Sequence, residues 1–319
     1  MRSFTINKND SGQRLDKFLT KAIPALPQSL LYKYIRIKRV KLNGRRADIK
    51  SVLSEGDVLD CYINDEFFTK DESAPAFMSA PGSVDIVYED DNIALLNKPA
   101  GLLVHEDDSG TADTLINRFI RRQYENGDYD PKTENSFAPA LCNRIDRNTC
   151  GIVIAAKNAE SLRILNEKIK NRELEKKYLC LVRGELTPPV GTLKGYILKD
   201  EKTNTVELFD HPVPGARTAV TAYRTLSLHK NISLVEANLL TGRTHQIRAQ
   251  FAGAGHPLLG DTKYGREDGS GINWQALCSY KLTFHFQSPA GALEYLNGRS
   301  FSVGGAWFLD RFGFEIPKE

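Results

Sequence analysis

The chain has 319 residues, 41% apolar and 26% charged, a composition that suits a soluble globular protein of one large domain or two. No apolar run approaches the roughly 20 residues of a membrane helix, and Met1-Arg2-Ser3-Phe4 does not open a secretory signal, so a cytoplasmic protein is expected. The net charge is only +3, yet residues 1–50 hold 13 Lys/Arg against 3 Asp/Glu, a basic first module that points to a polyanion as its partner.

Residues 4–9 read as a short strand, and Asp10-Ser11-Gly12 as a helix-start signal. Leu15, Phe18, Leu19 and Ala22 then recur at helical spacing until Pro24 and Pro27 stop the run. Ser29 is the expected cap of a second helix over roughly 30–38. Lys33 and Arg36 share a face of it, and Lys38, Arg39 and Lys41 continue the charge. Val40-Lys41-Leu42 is a strand, Asn43-Gly44 a tight turn, and 58–63 a closing strand. Residues 1–63 are therefore a small basic domain. Residues 64–83, with Asp65, Glu66, Asp71 and Glu72 among Ser, Ala, Pro and Gly, read as a mobile linker, and residues 84–319 as a second domain.

In that second domain, Ile86-Val87-Tyr88 and Ile93-Ala94-Leu95-Leu96 predict paired strands, followed by Asn97-Lys98-Pro99-Ala100-Gly101 and a polar stretch with a helix near 112–123. Next comes Asn143-Arg144-Ile145-Asp146-Arg147-Asn148-Thr149-Cys150-Gly151, where one carboxylate stands between two arginines. Flanking cations favour an ionised carboxylate, which suits a nucleophile and not a general acid. The plainer reading is a turn with solvated arginines. An apolar run of strand length that ends in a lysine follows at 151–157, then Asn158 as the cap of a helix over 159–172, then a strand at 176–184 that carries Tyr178. Alternating strands are expected at 217–226 and 232–240. Thr241-Gly242-Arg243-Thr244-His245-Gln246-Ile247-Arg248 comes after them, with Thr244 as the expected cap of a helix running through Phe251.

The five cysteines (Cys61, Cys142, Cys150, Cys180, Cys278) are scattered and odd in number, against a disulfide framework or a zinc ribbon. Cys150 is close to Asp146, but no nearby histidine activates it as a thiol nucleophile. No cluster has metal-ligand spacing, and there is no phosphate-cradling glycine loop or dinucleotide fingerprint, so neither a metal nor a cofactor is expected.

Three of these stretches resemble motifs of the RluA-type pseudouridine synthases. The segment 143–151 is similar to the family's His-Arg-Leu-Asp-x-x-Thr-Ser-Gly, with Asn143 in place of His and Cys150 in place of Ser. Lys98-Pro99-Ala100-Gly101 resembles its Lys-Pro-Ala-Gly element, and 241–248 its Thr-Gly-Arg-Thr-His-Gln-Ile-Arg. Residues 10–63 resemble a small ribosomal-protein-like RNA-binding domain. The resemblance implies an α+β fold, a mixed and mostly antiparallel central sheet flanked by helices, preceded by a small α/β RNA-binding domain. It implies an RNA isomerase with Asp146 as catalytic carboxylate, Tyr178 as the active-site tyrosine on which a uracil stacks, and Arg243 as the arginine paired with Asp146. Arg248 is the second choice for that pair. His245 is read as structural in preference to a phosphate contact, and His256…Asp261…Tyr264 as a loop bordering the groove. Expected RNA contacts are Lys33, Arg36, Lys38, Arg39, Lys41, Arg144, Arg147 and Arg248. Large-subunit ribosomal RNA is the expected substrate of a monomeric enzyme. Transfer RNA, or a non-catalytic role in ribosome assembly, are the alternatives. A pure binder has no use for a carboxylate facing phosphate.

Overall fold

The computed structural model of the chain describes residues 1–68, 74–265 and 270–316. The first unit runs β1 (Arg2–Thr5), α1 (Leu15–Ala22), α2 (Gln28–Arg36), β2 (Val40–Leu42), β3 (Arg45–Arg46) and β4 (Val58–Cys61), with strand order β1-β4-β2-β3. Leu15, Phe18 and Leu19 line one face of α1 and are fully buried, because that spacing places them on a single stripe. With Leu31 and Ile35 of α2 they fill a core closed by Phe4, Val40 and Leu59. Asn43 (φ 52°) and Gly44 (φ 72°) form the two-residue turn between β2 and β3 that their pairing predicts.

Two helix starts differ from expectation. Pro27, not Ser29, holds the N-cap position of α2, and its restricted φ leads directly into the helix. Asp10 does not cap α1, which begins after Arg14. It is buried instead, and its carboxylate accepts from Asn135 Nδ2 (2.7 Å) and Ser136 Oγ (2.6 Å) of the second unit. The side-chain amides of Asn7 and Asn9 donate to Glu134 (3.1 and 2.7 Å), and Arg163 donates to the Ser11 carbonyl (3.1 Å). The basic unit is thus seated on the rest of the chain through polar contacts. Asp71, Glu72 and Ser73 of the expected linker lie outside the described residues. On either side of them the chain is anchored. Phe67 and Phe68 pack on the first core, and Phe77 packs on Tyr124 and Tyr129, with ring centroids 5.8 and 6.3 Å away.

The second unit contains β5 (Ile86–Glu89), β6 (Ile93–Lys98), α3 (Leu115–Glu125), β7 (Ala140–Leu141), β8 (Cys150–Ala156), α4 (Ala159–Lys170), β9 (Leu174–Arg183), β10 (Val190–Asp200), β11 (Thr205–Phe209), β12 (Arg217–His229), β13 (Ile232–Leu239), α5 (Gln246–Gly253), β14 (Leu277–Phe284), β15 (Ser300–Ser302) and α6 (Leu309–Phe312). The central order is β11-β10-β12-β13-β9-β14-β8-β6-β5, with β7 beside β8 and β15 beside β14. Among the described residues, β8 and β14 form the one parallel pair of this sheet. The sheet is therefore mixed and mostly antiparallel, as expected. Every residue of β8 is buried, which explains its unbroken apolar sequence. Asn158 caps α4 as predicted, its side chain accepting from Ser161 N–H at 2.8 Å.

Gly151 sits where β8 meets β14. Its φ is +104°, and a Cβ there would lie 2.2 Å from the Ser279 carbonyl oxygen and 2.8 Å from the Ser279 nitrogen. Both are backbone atoms of the neighbouring strand and cannot swing aside. Gly151→Ala is expected to cost about 3 kcal/mol or more in urea unfolding. A loss under 1 kcal/mol would mean that the two strands are not held this close.

Candidate active site

Asp146 lies in the turn that enters β8, an interior strand of the sheet. The turn closes on itself, with Thr149 N–H donating to the Asp146 carbonyl (3.0 Å), and it is clamped from the exit of β6. Gly101 N–H and Lys98 Nζ both donate to the Arg147 carbonyl (3.0 and 2.6 Å), and Arg147 Nε returns a bond to the Gly101 carbonyl (3.0 Å). The Lys98 ammonium is fully buried and also donates to the carbonyls of Pro99 and Leu102 (2.9 and 2.8 Å). Burial pushes its pKa down to about 8, against the pull of Asp146 and of the nearby Cys150 thiol.

The two departures from the family motif are absorbed locally. Asn143 Oδ1 accepts from Ile154 N–H at 2.9 Å and so ties the approach to the turn onto β8. The Cys150 thiol bonds to the Leu277 carbonyl (3.6 Å) and to Cys278, its partner in register across β8 and β14.

The arginine paired with Asp146 is Arg248, not Arg243. Arg248 Nη1 donates to Asp146 Oδ2 at 2.9 Å, while its Nε and Nη2 grip Asp261 at 2.7 and 2.9 Å. The reason is the start of α5. The expected cap, Thr244, is displaced by His245, whose left-handed backbone (φ 51°) turns the chain so that the helix begins at Gln246. Arg248, buried in the first turn of that helix, then meets both Asp146 and Asp261. Arg243 stays outside the turn, its Nε on the Thr218 carbonyl (3.1 Å). Burial lowers the Arg243 pKa, and the like charges of Arg217 and Arg172 add to the shift. Arg243 therefore belongs to a positive rim and not to the carboxylate.

Asp261 is the residue that sequence reading placed only in a bordering loop. Burial opposes its charge, but the Arg248 guanidinium overrides burial and holds its pKa below the ordinary value. Burial likewise opposes the charge on Arg248, and its two carboxylate partners overcome it, raising its pKa. Tyr264 covers the pair, with Arg248 Cζ 5.2 Å from its ring centroid. Its hydroxyl meets His245 Nδ1 at 2.7 Å, leaving His245 Nε2 at 3.9 Å from Asp146. Burial drives the His245 pKa down, so near neutral pH the ring is an uncharged neighbour of the carboxylate.

Tyr178 stands on β9, buried, with its phenol in contact with Ser279 and within the electrostatic reach of Asp146. Burial raises its pKa to about 12, and the negative charge of Asp146 adds to the shift. Of the expected RNA contacts, Lys33, Arg36, Lys38 and Arg39 are exposed on α2 and its exit, and Arg144 and Arg147 are exposed beside Asp146. Lys41 is half-buried, its Nζ 5.3 Å from the Tyr62 ring centroid. Arg248, committed to two carboxylates, is not available to phosphate. Among the described residues no group of His, Cys, Asp and Glu could hold a metal ion, and no helix is long and apolar enough to cross a membrane.

Residues 92–253 match the family model of RNA pseudouridylate synthases. The ribosomal large subunit pseudouridine synthase C of Haemophilus influenzae is 31% identical over 310 residues, covering 92% of this chain and 90% of that protein. An uncharacterized RNA pseudouridine synthase of Mycoplasma capricolum is 31% identical over 314 residues, 98% of this chain and 100% of that protein. Among solved structures, human RNA pseudouridylate synthase domain containing 4 superposes with a TM-score of 0.58 at 22% identity, covering 73% of this chain and 95% of that one, a likeness of fold. The match spans the Asp146 turn, Tyr178 and the start of α5 together, and it sets aside a role confined to RNA binding. This chain belongs to the RluA-type RNA pseudouridine synthases, isomerases that act on RNA.

Proposed function

We propose that the chain converts specific uridines of large-subunit ribosomal RNA to pseudouridine, with Asp146 as its catalytic carboxylate and with no cofactor. The reaction is an internal exchange. The bond from ribose C1′ to uracil N1 breaks, a bond from C1′ to C5 forms, the C5 hydrogen leaves as a proton, and N1 gains one. No electrons are transferred in net terms, so side chains suffice.

The observation that carries this reading is the guanidinium of Arg248, shared between Asp146 and Asp261. It aims one oxygen of Asp146 in a fixed direction, and the buried Asp261 fixes Arg248 in turn. Tyr178 retains its phenol proton at every physiological pH and is an uncharged, buried neighbour within electrostatic reach of the carboxylate. The target base must leave its stack to reach Asp146, which is cheapest in unpaired RNA. Arg243 at the rim and the cations of α2 neutralise phosphate, so RNA binding weakens steeply with salt. The ribosomal substrate is supported by the names of relatives such as the Haemophilus influenzae and Vibrio cholerae large-subunit synthases.

Mapping pseudouridine along ribosomal and transfer RNA from cells with and without the protein tests the reading. One or a few large-subunit sites should vanish on deletion and return when the gene is restored. Loss confined to transfer RNA would overturn the substrate and keep the chemistry.

A further inference from the structure

Beside the Asp146 turn, on the side of the β6 exit, lies a cleft of about 510 Å³, lined by Pro99, Gly101, Arg118, Arg147, Asn148 and Trp274. Its volume is in the range of small-molecule sites. Three features distinguish it from a surface depression. Trp274 is 45% exposed, although an indole ring is usually covered. The ring rests on the backbone of Gly101, where a Cβ would come within 3.1 Å of Trp274 Cη2, so the same clamp that holds the Arg147 carbonyl supports the ring. The two cations differ in their availability. Arg118 is neutralised by Asp113 through Nε and Nη2 (2.5 and 2.9 Å), whereas Arg147 makes no ion pair among the described residues.

We propose that this cleft is a subsite for an unpaired nucleotide next to the target uridine, with Trp274 as its stacking surface and Arg147 as its phosphate contact. An exposed indole offers a flat apolar face to any base, and beside it a guanidinium bonded through Nε to the Gly101 carbonyl, with no carboxylate in ion-pair contact among the described residues, meets the backbone charge that every base carries. Arg147 and Asn148 directly follow Asp146, so a nucleotide bound here is a close neighbour of the base under reaction. Asp113, held by Arg118, presents no free negative charge to repel it. The subsite rests on the chain acting on RNA, and not on which RNA is its substrate. Its consequence is a sequence-tolerant requirement for a splayed, stackable neighbour, which favours loops over duplexes.

The chain has two tryptophans, so Trp307→Phe leaves Trp274 as the only indole. RNA extracted from cells lacking the protein, which holds the target unmodified whichever molecule contains it, is titrated into this variant. Quenching of Trp274 emission in step with RNA retention on a filter is expected. Retention without a change in emission overturns the subsite. Trp274→Ala should raise the apparent KM about tenfold at unchanged kcat, the scale of one lost base–aromatic stack, while Trp274→Phe keeps most of the affinity. A loss confined to kcat, or equal losses for Phe and Ala, shows that the ring serves only to pack Gly101 and overturns the proposal. If Trp274→Ala fails to fold, the phenylalanine variant and the emission titration decide. Quenching without any pseudouridine formed by the wild type sinks the functional reading and leaves the subsite standing. No retention of RNA by the wild type sinks both.

Discussion

Asp146→Asn is expected to bring pseudouridine formation down by about four orders of magnitude, while RNA affinity stays within about threefold of the wild type. The amide is nearly isosteric and can still accept from Arg248 Nη1, so the turn and its clamp by Lys98 and Gly101 should persist. What is lost is the charge and the lone pair that attack the nucleoside or remove its proton. Affinity should be steady or slightly improved, because a carboxylate beside phosphate is repulsive. Release of tritium from RNA labelled at uracil C5 reports the reaction, since the C5 hydrogen departs as a proton. Filter retention of the same RNA reports binding. Release above about one part in a hundred of the wild-type rate would place the chemistry on another residue.

The second large effect concerns Arg248 and separates it from Arg243. Arg248→Met leaves the Asp261 carboxylate buried with no counter-charge. Breaking such a pair from one side costs about 3–5 kcal/mol, a large share of the stability of an ordinary domain. Activity should fall with it, because Asp146 loses the group that aims it. Asp261→Asn in the same chain removes the stranded charge and should recover much of the stability with none of the activity. Arg248→Lys should not rescue fully, since an ammonium cannot grip Asp261 with two parallel bonds and still reach Asp146. Arg243→Ala should leave stability within about 0.5 kcal/mol and kcat unchanged. It should weaken RNA binding modestly and lower the salt slope by about one. Urea unfolding and single-turnover tritium release on the four variants give the answer. Equal losses at positions 243 and 248 would return the pairing to Arg243.

The misplacement of that pair shows where sequence stops informing. Asp146 was legible because its turn is local, with acid, arginines, threonine and glycine within nine residues of each other. The capping asparagine of α4 and the Asn-Gly turn of the first unit were legible for the same reason. α5 was not. Six consecutive residues from Gln246 to Phe251 are buried, so no polar face marks its orientation or its first turn. The decision between Arg243 and Arg248 is made by the left-handed backbone at His245 and by Asp261, thirteen residues beyond Arg248. No periodicity encodes either one. β10 and β11 went unread because they lie at the outer edge of the sheet, where only two of the eleven residues of β10 are buried and its sequence mixes Gly, Thr and Lys with its apolar positions. Trp274 lies outside every motif, and its neighbour Gly101 is more than 170 positions away.

The seat of the basic unit on the body has a thermodynamic character of its own. Asparagine, glutamine, glutamate, serine, aspartate and arginine side chains make it, and no apolar cluster of described residues crosses from one unit to the other. Water can replace each of these partners almost one for one, so parting the two units exposes no oily face and changes the heat capacity little. The cost of parting is therefore small beside the cost of melting either core. Parting the two units would leave both cores folded. The contacts that hold Asp146 all lie within the second unit, so they do not depend on this seat.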